Sequence, residues 1–177
     1  MRIRHYQKLL SFVVLALTGY ALAEERSTIA EVETAYLYRF LQFTQWPEQR
    51  FTSAESPLEL CVVGSTPLAA TLPKLTQFMI GRHPIQLKFP TVKMPLQTCH
   101  AVFVGRLDDD EIGTLASLQH QATLIISEEN ENQLVGAMIH FVVVNNRVRF
   151  TVNLSAAKAV NLYVNSDLLD HAYAVEH

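Results

Sequence analysis

Apolar and polar positions along the chain predict helices and strands in alternation. Between Thr28 and Thr44 apolar residues recur at every third or fourth position, as expected of an amphipathic helix that faces a core. Trp46-Pro47 ends this helix, because proline disfavours helical geometry at the residue before it. The apolar stripe of the helix is expected to consist of Ile29, Val32, Tyr36, Phe40 and Phe43, widened by Leu37 and Leu41.

Three short apolar runs predict strands, and the second of them, apolar without alternation, is expected to be a buried parallel strand. These runs are Leu58–Val63, Ala101–Val104 and Ala122–Ile126. A further strand is expected within Ile80–Phe89, and Pro84 places it at a sheet edge or keeps it short. Helices are expected between the runs, one within Leu68–Phe78 that Pro73 interrupts, and one that opens with the acidic residues Asp108–Glu111.

The C-terminal part of the chain predicts an antiparallel hairpin. Its arms, Met138–Val144 and Arg147–Leu154, are joined by Asn145-Asn146, and asparagine tolerates the positive φ angles of such turns. Two short helices are expected to follow, with Ser155 and Ser166 as N-caps. Alternation in the second arm is expected to direct Val148, Phe150, Val152 and Leu154 to the core and Arg147, Arg149, Thr151 and Asn153 to the other face.

Alternation of strands and helices through the middle of the chain is typical of an α/β fold. We predict a mostly parallel sheet flanked by helices, with a C-terminal antiparallel hairpin. Because no run of glycine, serine or proline is long enough to form a linker, residues 24–177 are expected to fold as a single domain.

The first 23 residues have the layout of a secretory signal peptide. Basic residues precede the apolar run Leu9–Tyr20, and Ala21-Leu22-Ala23 provides the small residues of a cleavage site before Glu24. An uncleaved N-terminal anchor is the alternative interpretation. We predict export to the periplasm and a mature domain that does not itself span the membrane, because the apolar run is shorter than the roughly 20 residues a span needs.

Charge counts make a general nucleic-acid binder improbable. After removal of residues 1–23, 11 basic and 17 acidic residues remain, which gives a net charge of about −6 by formal counting. Only Arg147 and Arg149 stand together as a basic pair, and one pair cannot provide the electrostatic footprint that a phosphate backbone requires.

Export makes the two cysteines of the chain informative, because oxidising compartments allow thiols to pair. A Cys61–Cys99 disulfide is the natural proposal. Two buried free thiols or an intermolecular bond are the alternatives.

Residue types suited to catalysis occur in the chain, but not in the spacings that catalysis needs. Gly64-Ser65-Thr66 ends a predicted strand, yet it lacks the further glycine or lysine of phosphate-binding motifs, so we interpret it as an ordinary turn. The histidines of the mature chain lack metal-ligand spacing, and adjacent strand residues such as Cys99 and His100 point to opposite faces. We predict no enzymatic activity, no cofactor and no metal site.

Aromatic and arginine residues suggest a partner-binding surface, because both types are enriched at protein interfaces. Tyr38 lies off the predicted stripe of the first helix, with Arg39 beside it and Trp46 nearby. We therefore take Tyr38, Arg39 and Trp46, together with the pair Arg147 and Arg149, as candidate partner-binding residues. For the stripe residues themselves, core packing is the favoured interpretation.

Seven blocks follow one another along the chain: Ala35–Phe40, Phe43–Pro47, Leu60–Gly64, Cys99–Val104, Gly136–Phe141, Arg147–Leu154 and Ser166–Leu169. In this order they resemble the YfiR family of periplasmic proteins, over essentially the whole mature chain. That resemblance implies a regulator that binds the periplasmic sensor domain of an inner-membrane diguanylate cyclase of the GGDEF type. The regulator would hold the cyclase inactive and so link envelope or redox state to cyclic-di-GMP signalling and biofilm formation.

The resemblance also bears on the two cysteines. Cys61 and Cys99 match one cysteine pair of the family, whereas the second pair, in the hairpin region, is absent from Met138–Leu154. Redox control through that second bridge is therefore not expected.

A homodimer is possible. The alternative function is a periplasmic small-ligand binding module that serves a transporter or sensor kinase, and it rests on the strand-end glycines Gly64 and Gly105.

Overall fold

A mixed sheet organises the chain in the computed structural model, which describes residues 29–90, 96–107, 121–128 and 136–177. The predicted signal peptide, the helix expected after Asp108–Glu111 and most of the polar loop that follows Ser127 lie outside the described residues. The strands are β1 (Thr44–Gln45), β2 (Leu58–Val63), β3 (Met79–Ile80), β4 (His83–Lys88), β5 (Ala101–Val104), β6 (Leu124–Ser127), β7 (Ile139–Val144), β8 (Arg147–Asn153), β9 (Tyr163–Val164) and β10 (Ala174–Glu176).

The main sheet in the described part of the chain has eight strands in the order β10-β8-β7-β6-β5-β2-β4-β3. Its five central strands, from β4 to β7, are parallel, whereas β8 is antiparallel to β7 and β3 is antiparallel to β4. The predicted α/β class with a C-terminal hairpin is thereby confirmed. A second, two-stranded sheet pairs β1 with β9.

Helices cover one face of the sheet. Residues 29–43 form helix α1, and two short helices near the C-terminus are α2 (Leu154–Ala159) and α3 (Ser166–Leu169). Short 3₁₀ helices occupy Glu48–Arg50, Pro67–Ala70, Leu72–Gln77 and Leu96–Thr98.

Phenylalanine rings form the centre of the core between α1 and the sheet. The ring of Phe40 lies 4.9 Å from that of Phe150 and 5.4 Å from that of Phe141, with the planes inclined as aromatic pairs prefer. A smaller apolar cluster on the opposite face of the sheet contains Val63, Val102 and Ile125. The central strand β5 is thus buried on both faces, as its unbroken apolar run predicts.

The predicted stripe of α1 is partly wrong. Ile29 and Val32 are 39% and 41% exposed, whereas Leu37 and Leu41 at the centre of the buried face are fully inaccessible. The buried face also includes Thr34, whose hydroxyl lies 2.6 Å from that of Thr71. Because this threonine is satisfied by a hydrogen bond within the interface, it can lie on the face that packs on the core.

Helix boundaries also differ from the prediction. Pro67–Ala70 and Leu72–Gln77 are 3₁₀ turns, so Leu68–Phe78 is not one α-helix. The N-caps of α2 and α3 are Asn153 and Asn165 rather than Ser155 and Ser166. Each asparagine side chain accepts a hydrogen bond from a backbone N–H of the first turn, and asparagine is at least as good a cap as serine.

Candidate functional site

Exposed apolar side chains on α1 lie beside the β7–β8 hairpin. Ile29, Val32 and Tyr36 of α1 line a cavity of about 480 Å³ together with Val143 and Val148 of the hairpin. Val143 is 45% exposed. Clustered apolar side chains at the surface of a soluble protein mark interaction sites. We call these five residues, with Arg147 and Arg149 at their rim, the α1–hairpin surface.

Arg147 and Arg149 stand on the strand that forms one wall of this cavity. Both side chains are exposed, and neither forms an ion pair within the described residues. Because β8 alternates as predicted, Phe150 and Val152 are buried while the two arginines remain on the other face. Their charges are therefore available to a partner.

Tyr38 lies on a different side of α1, and Arg39 borders both sides, because it lines the groove beside Tyr38 and also a cavity of about 370 Å³ with Tyr36. Tyr38 is half-buried, with its ring 4.8 Å from that of Phe78, and lines a groove of about 630 Å³ beside the 3₁₀ turns. Arg39 is exposed, and its guanidinium carbon lies 5.8 Å from the ring centre of Phe43. The five candidate partner-binding residues therefore do not form one patch, since Arg147 and Arg149 lie together and Tyr38 and Arg39 lie elsewhere.

Trp46 has a structural contact. Its indole N–H donates a 2.8 Å hydrogen bond to the carbonyl of His100, at the start of β5. Nearby, the guanidinium of Arg50 donates to the carbonyls of Cys99 at 2.6 Å and Gln97 at 3.1 Å. These contacts fasten the segment after α1 to the amino-terminal edge of the sheet.

An aromatic stack completes this attachment. The ring of Phe51 lies between the imidazoles of His83 and His100, with centroid distances of 3.8 and 4.4 Å. Burial lowers the pKa of His100, and the neighbouring charge of Arg50 lowers it further. Nδ1 of His100 accepts the backbone N–H of Glu59, which requires the neutral ring. Sequence reasoning missed this cluster, because its members are distant along the chain.

Ser127 and His140 form a second contact that the sequence did not reveal. The serine hydroxyl lies 2.6 Å from Nδ1 of the imidazole, and burial lowers the pKa of His140. Serine and histidine at this distance are the beginning of a nucleophilic pair. Ser127 is only 3% exposed, however, so the pair joins β6 to β7 and does not present a hydroxyl to a substrate.

Gly64 and Gly105, on which the ligand-binding alternative rests, are used for close contact between β2 and β5. Beyond the strands, Ser65 and Arg106 exchange backbone hydrogen bonds of 2.9 and 2.8 Å. A Cβ atom on either glycine would collide with the opposite backbone. The hydroxyl of Thr66 caps the following 3₁₀ turn and donates to Glu128, whose pKa burial raises. The glycines here serve backbone packing.

The predicted Cys61–Cys99 disulfide is present. The two Cα atoms are 5.9 Å apart, and the bridge lies in the apolar cluster on the face of the sheet opposite α1. Within the described ranges, no group of three or more histidine, cysteine or acidic side chains is arranged to hold a metal ion. No helix in the described part of the chain has the length and apolar character of a membrane span.

A known protein family matches most of the chain. The model of the DUF4154 family, described as YfiR/HmsC-like, matches residues 30–173. That range runs from the first turn of α1 to the residue before β10, so it includes the disulfide and the α1–hairpin surface except for Ile29. The family is a periplasmic and regulatory one. Because the match extends over most of the chain, including seven of the eight strands of the main sheet, the chain belongs to the YfiR/HmsC-like family.

Proposed function

We propose that this protein is a periplasmic repressor of an inner-membrane diguanylate cyclase of the GGDEF type. In this proposal residues 1–23 direct export and are removed, and residues 24–177 bind the periplasmic sensor domain of the cyclase. Binding holds the cyclase inactive and links the state of the envelope to cyclic-di-GMP. The protein contributes no catalytic step and no cofactor.

Membership of a periplasmic regulatory family, matched over residues 30–173, is the observation that carries this proposal. The α1–hairpin surface supports it physically. Ile29, Val32 and Val143 expose apolar area, and burial of such area contributes roughly 25 cal/mol per Å² to association. Arg147 and Arg149 add the charged groups that anchor many interfaces.

Repression by binding requires only a difference in affinity for two states of the partner. A domain that binds the inactive sensor about 100-fold more tightly than the active one shifts the equilibrium by about 2.7 kcal/mol. No bond has to be made or broken by the repressor. Of the two cysteine pairs of the family, only Cys61–Cys99 is present, so a redox input has to act through that bridge.

The test combines a cellular and a purified system. Deletion of the gene should raise intracellular cyclic-di-GMP, and the mature protein should bind the periplasmic domain of a membrane GGDEF protein from the same organism. Val32→Asp should weaken this binding at least about ten-fold, equivalent to 1.4 kcal/mol. Met79→Asp, at the exposed far edge of the sheet, is the matched control and should leave the affinity unchanged. Unchanged cyclic-di-GMP together with no bound sensor domain would refute the proposal.

A further inference from the structure

The first half of β8 is an open sheet edge in the described part of the chain. β7 pairs with Arg147–Val152 of β8, but β10 pairs only with Thr151–Asn153 on the other side. Arg147–Phe150 therefore has no neighbouring strand on that side among the described residues. Open edges offer backbone amides and carbonyls to an added strand.

Backbone geometry identifies the residue that is available. The N–H of Tyr173 donates to the carbonyl of Phe150 at 2.8 Å, so the backbone groups of Phe150 point to the open side. In an antiparallel pair these directions repeat at every second residue. The N–H and carbonyl of Val148 therefore point to the same open side, while Arg147 and Arg149 bond to β7.

Basic side chains flank this edge. A cavity of about 720 Å³ lies against it, lined by Arg147 and Arg149 and by the segment that leads into β10, including Asp170, His171 and the exposed ring of Tyr173. Two arginines face one aspartate, so the cavity favours a ligand with negative charge. Its volume is within the usual range for binding sites.

We propose that the open edge of β8 binds an extended acidic segment of a partner protein as an added strand. Side chains on a strand alternate between faces, so residues opposite Arg147 and Arg149 lie on one face and the residue opposite Val148 lies on the other. Tyr36 and Val148 make that second face apolar. The segment that fits is therefore acidic–apolar–acidic.

Charge argues against a second copy of this chain as the occupant. If two β8 edges paired antiparallel about Val148, each arginine would lie opposite an arginine of the other copy. Like charges in directly opposite positions destabilise a strand pair. An acidic strand replaces that repulsion with attraction and uses the same backbone groups. This inference rests on the proposed function only in treating the partner as a protein.

The test uses the end-blocked peptide Thr-Thr-Glu-Val-Glu-Thr-Thr and the purified mature protein, with binding measured by calorimetry. We expect Arg147→Glu combined with Arg149→Glu to weaken binding at least ten-fold. Arg82→Glu, an exposed arginine at the β3–β4 turn, should leave it unchanged. Methylation of the central valine amide should abolish binding although all charges remain, because strand addition needs that N–H.

Three results would overturn the inference: no binding of the acidic peptide, equal binding of the methylated peptide, or a protein dimer that the arginine variants disrupt. Failure here is distinct from failure of the proposed repressor role. If a sensor domain binds the wild type and the double arginine variant equally and the peptide does not bind, strand addition is refuted and the repressor role is not. If the peptide binds but no sensor domain does, strand addition is supported and only the proposed repressor role is refuted.

Discussion

A Cβ atom on Gly64 would lie 2.4 Å from the carbonyl oxygen of Arg106, and Gly64 itself has a φ of +79°. We predict that Gly64→Ala lowers the free energy of unfolding by at least about 2 kcal/mol, because the side chain is both clashing and strained. Gly105→Ala should be similarly costly, since its Cβ would lie 2.4 Å from the carbonyl oxygen of Ser65. Urea unfolding measures both changes.

Gly81 provides the matched control for this prediction. It has a φ of +60°, yet a Cβ atom there would meet nothing within 4 Å. Gly81→Ala should therefore cost only the backbone strain, about 1 kcal/mol. Equal costs for Gly64→Ala and Gly81→Ala would show that the contact between β2 and β5 does not require a glycine.

Loss of the disulfide should destabilise the domain considerably. Cys61 and Cys99 are 38 positions apart, and the loop-entropy estimate for a bridge of this span is about 3 to 4 kcal/mol. Cys61→Ala alone should cause nearly the whole loss, and adding Cys99→Ala should cause little more, because one substitution already breaks the bond. Additive losses in chemical denaturation would contradict a stabilising bridge.

Stability should fall on acidification. Burial lowers the pKa values of His100 and His140 below the ordinary 6.5. Below pH 6.5 the two histidines take up protons in the unfolded chain while they are still neutral in the folded protein. The free energy of unfolding is therefore greatest above pH 6.5 and decreases below it. Urea unfolding at several pH values between about 7.5 and 5.5 measures the slope of the free energy of unfolding against pH, and this slope should be positive.

The comparison of histidine variants tests the cause of that slope. His100→Gln should reduce the slope, whatever its effect on absolute stability, because one titrating group is removed. His177→Gln, at the exposed C-terminal residue, is the control and should leave the slope as it is. If His100→Gln and wild type had the same slope, the neutral imidazole beside Phe51 would not be the source.

Arg50 should be more important than an exposed arginine. Its guanidinium holds the carbonyls of Cys99 and Gln97, and hydrogen bonds to a charged group contribute about 1.5 to 3 kcal/mol. We expect Arg50→Met to lower the free energy of unfolding by about 2 kcal/mol. Arg82→Met should change it by less than about 0.5 kcal/mol. Similar values for the two variants would contradict the attachment described for residues after α1.

Local chemistry explains which parts of the fold could be predicted. Asn145 and Asn146 have φ angles of 51° and 57°, as the hairpin turn requires, and the hairpin was predictable from this pair and the alternation after it. The central parallel strands were predictable from their apolar runs. β1, β9 and β10 contain only two or three residues each, so their pairing depends on distant parts of the chain.

The candidate surface was predictable only in part. Arg147 and Arg149 were identifiable as a basic pair in an alternating strand. The apolar pattern assigns Ile29 and Val32 to the core. The buried face of α1 instead includes Thr34, which the pattern counts as polar. Periodicity gives the existence of a helix, but a satisfied polar contact decides which face is covered.

Thr44 pairs with Val164 across 120 positions of the chain, and the amide of Asn165 donates to the carbonyl of Phe43 just before it. The end of the first helix is therefore secured in part by residues synthesised near the end of the chain. On the proposed export route, a polypeptide that crosses the membrane amino-terminus first cannot complete this closure until nearly all of it has crossed. Until Phe141 and Phe150 have also crossed on that route, the ring of Phe40 lacks its partner rings of the hairpin, and the exposed apolar surface is of the kind that chaperones bind.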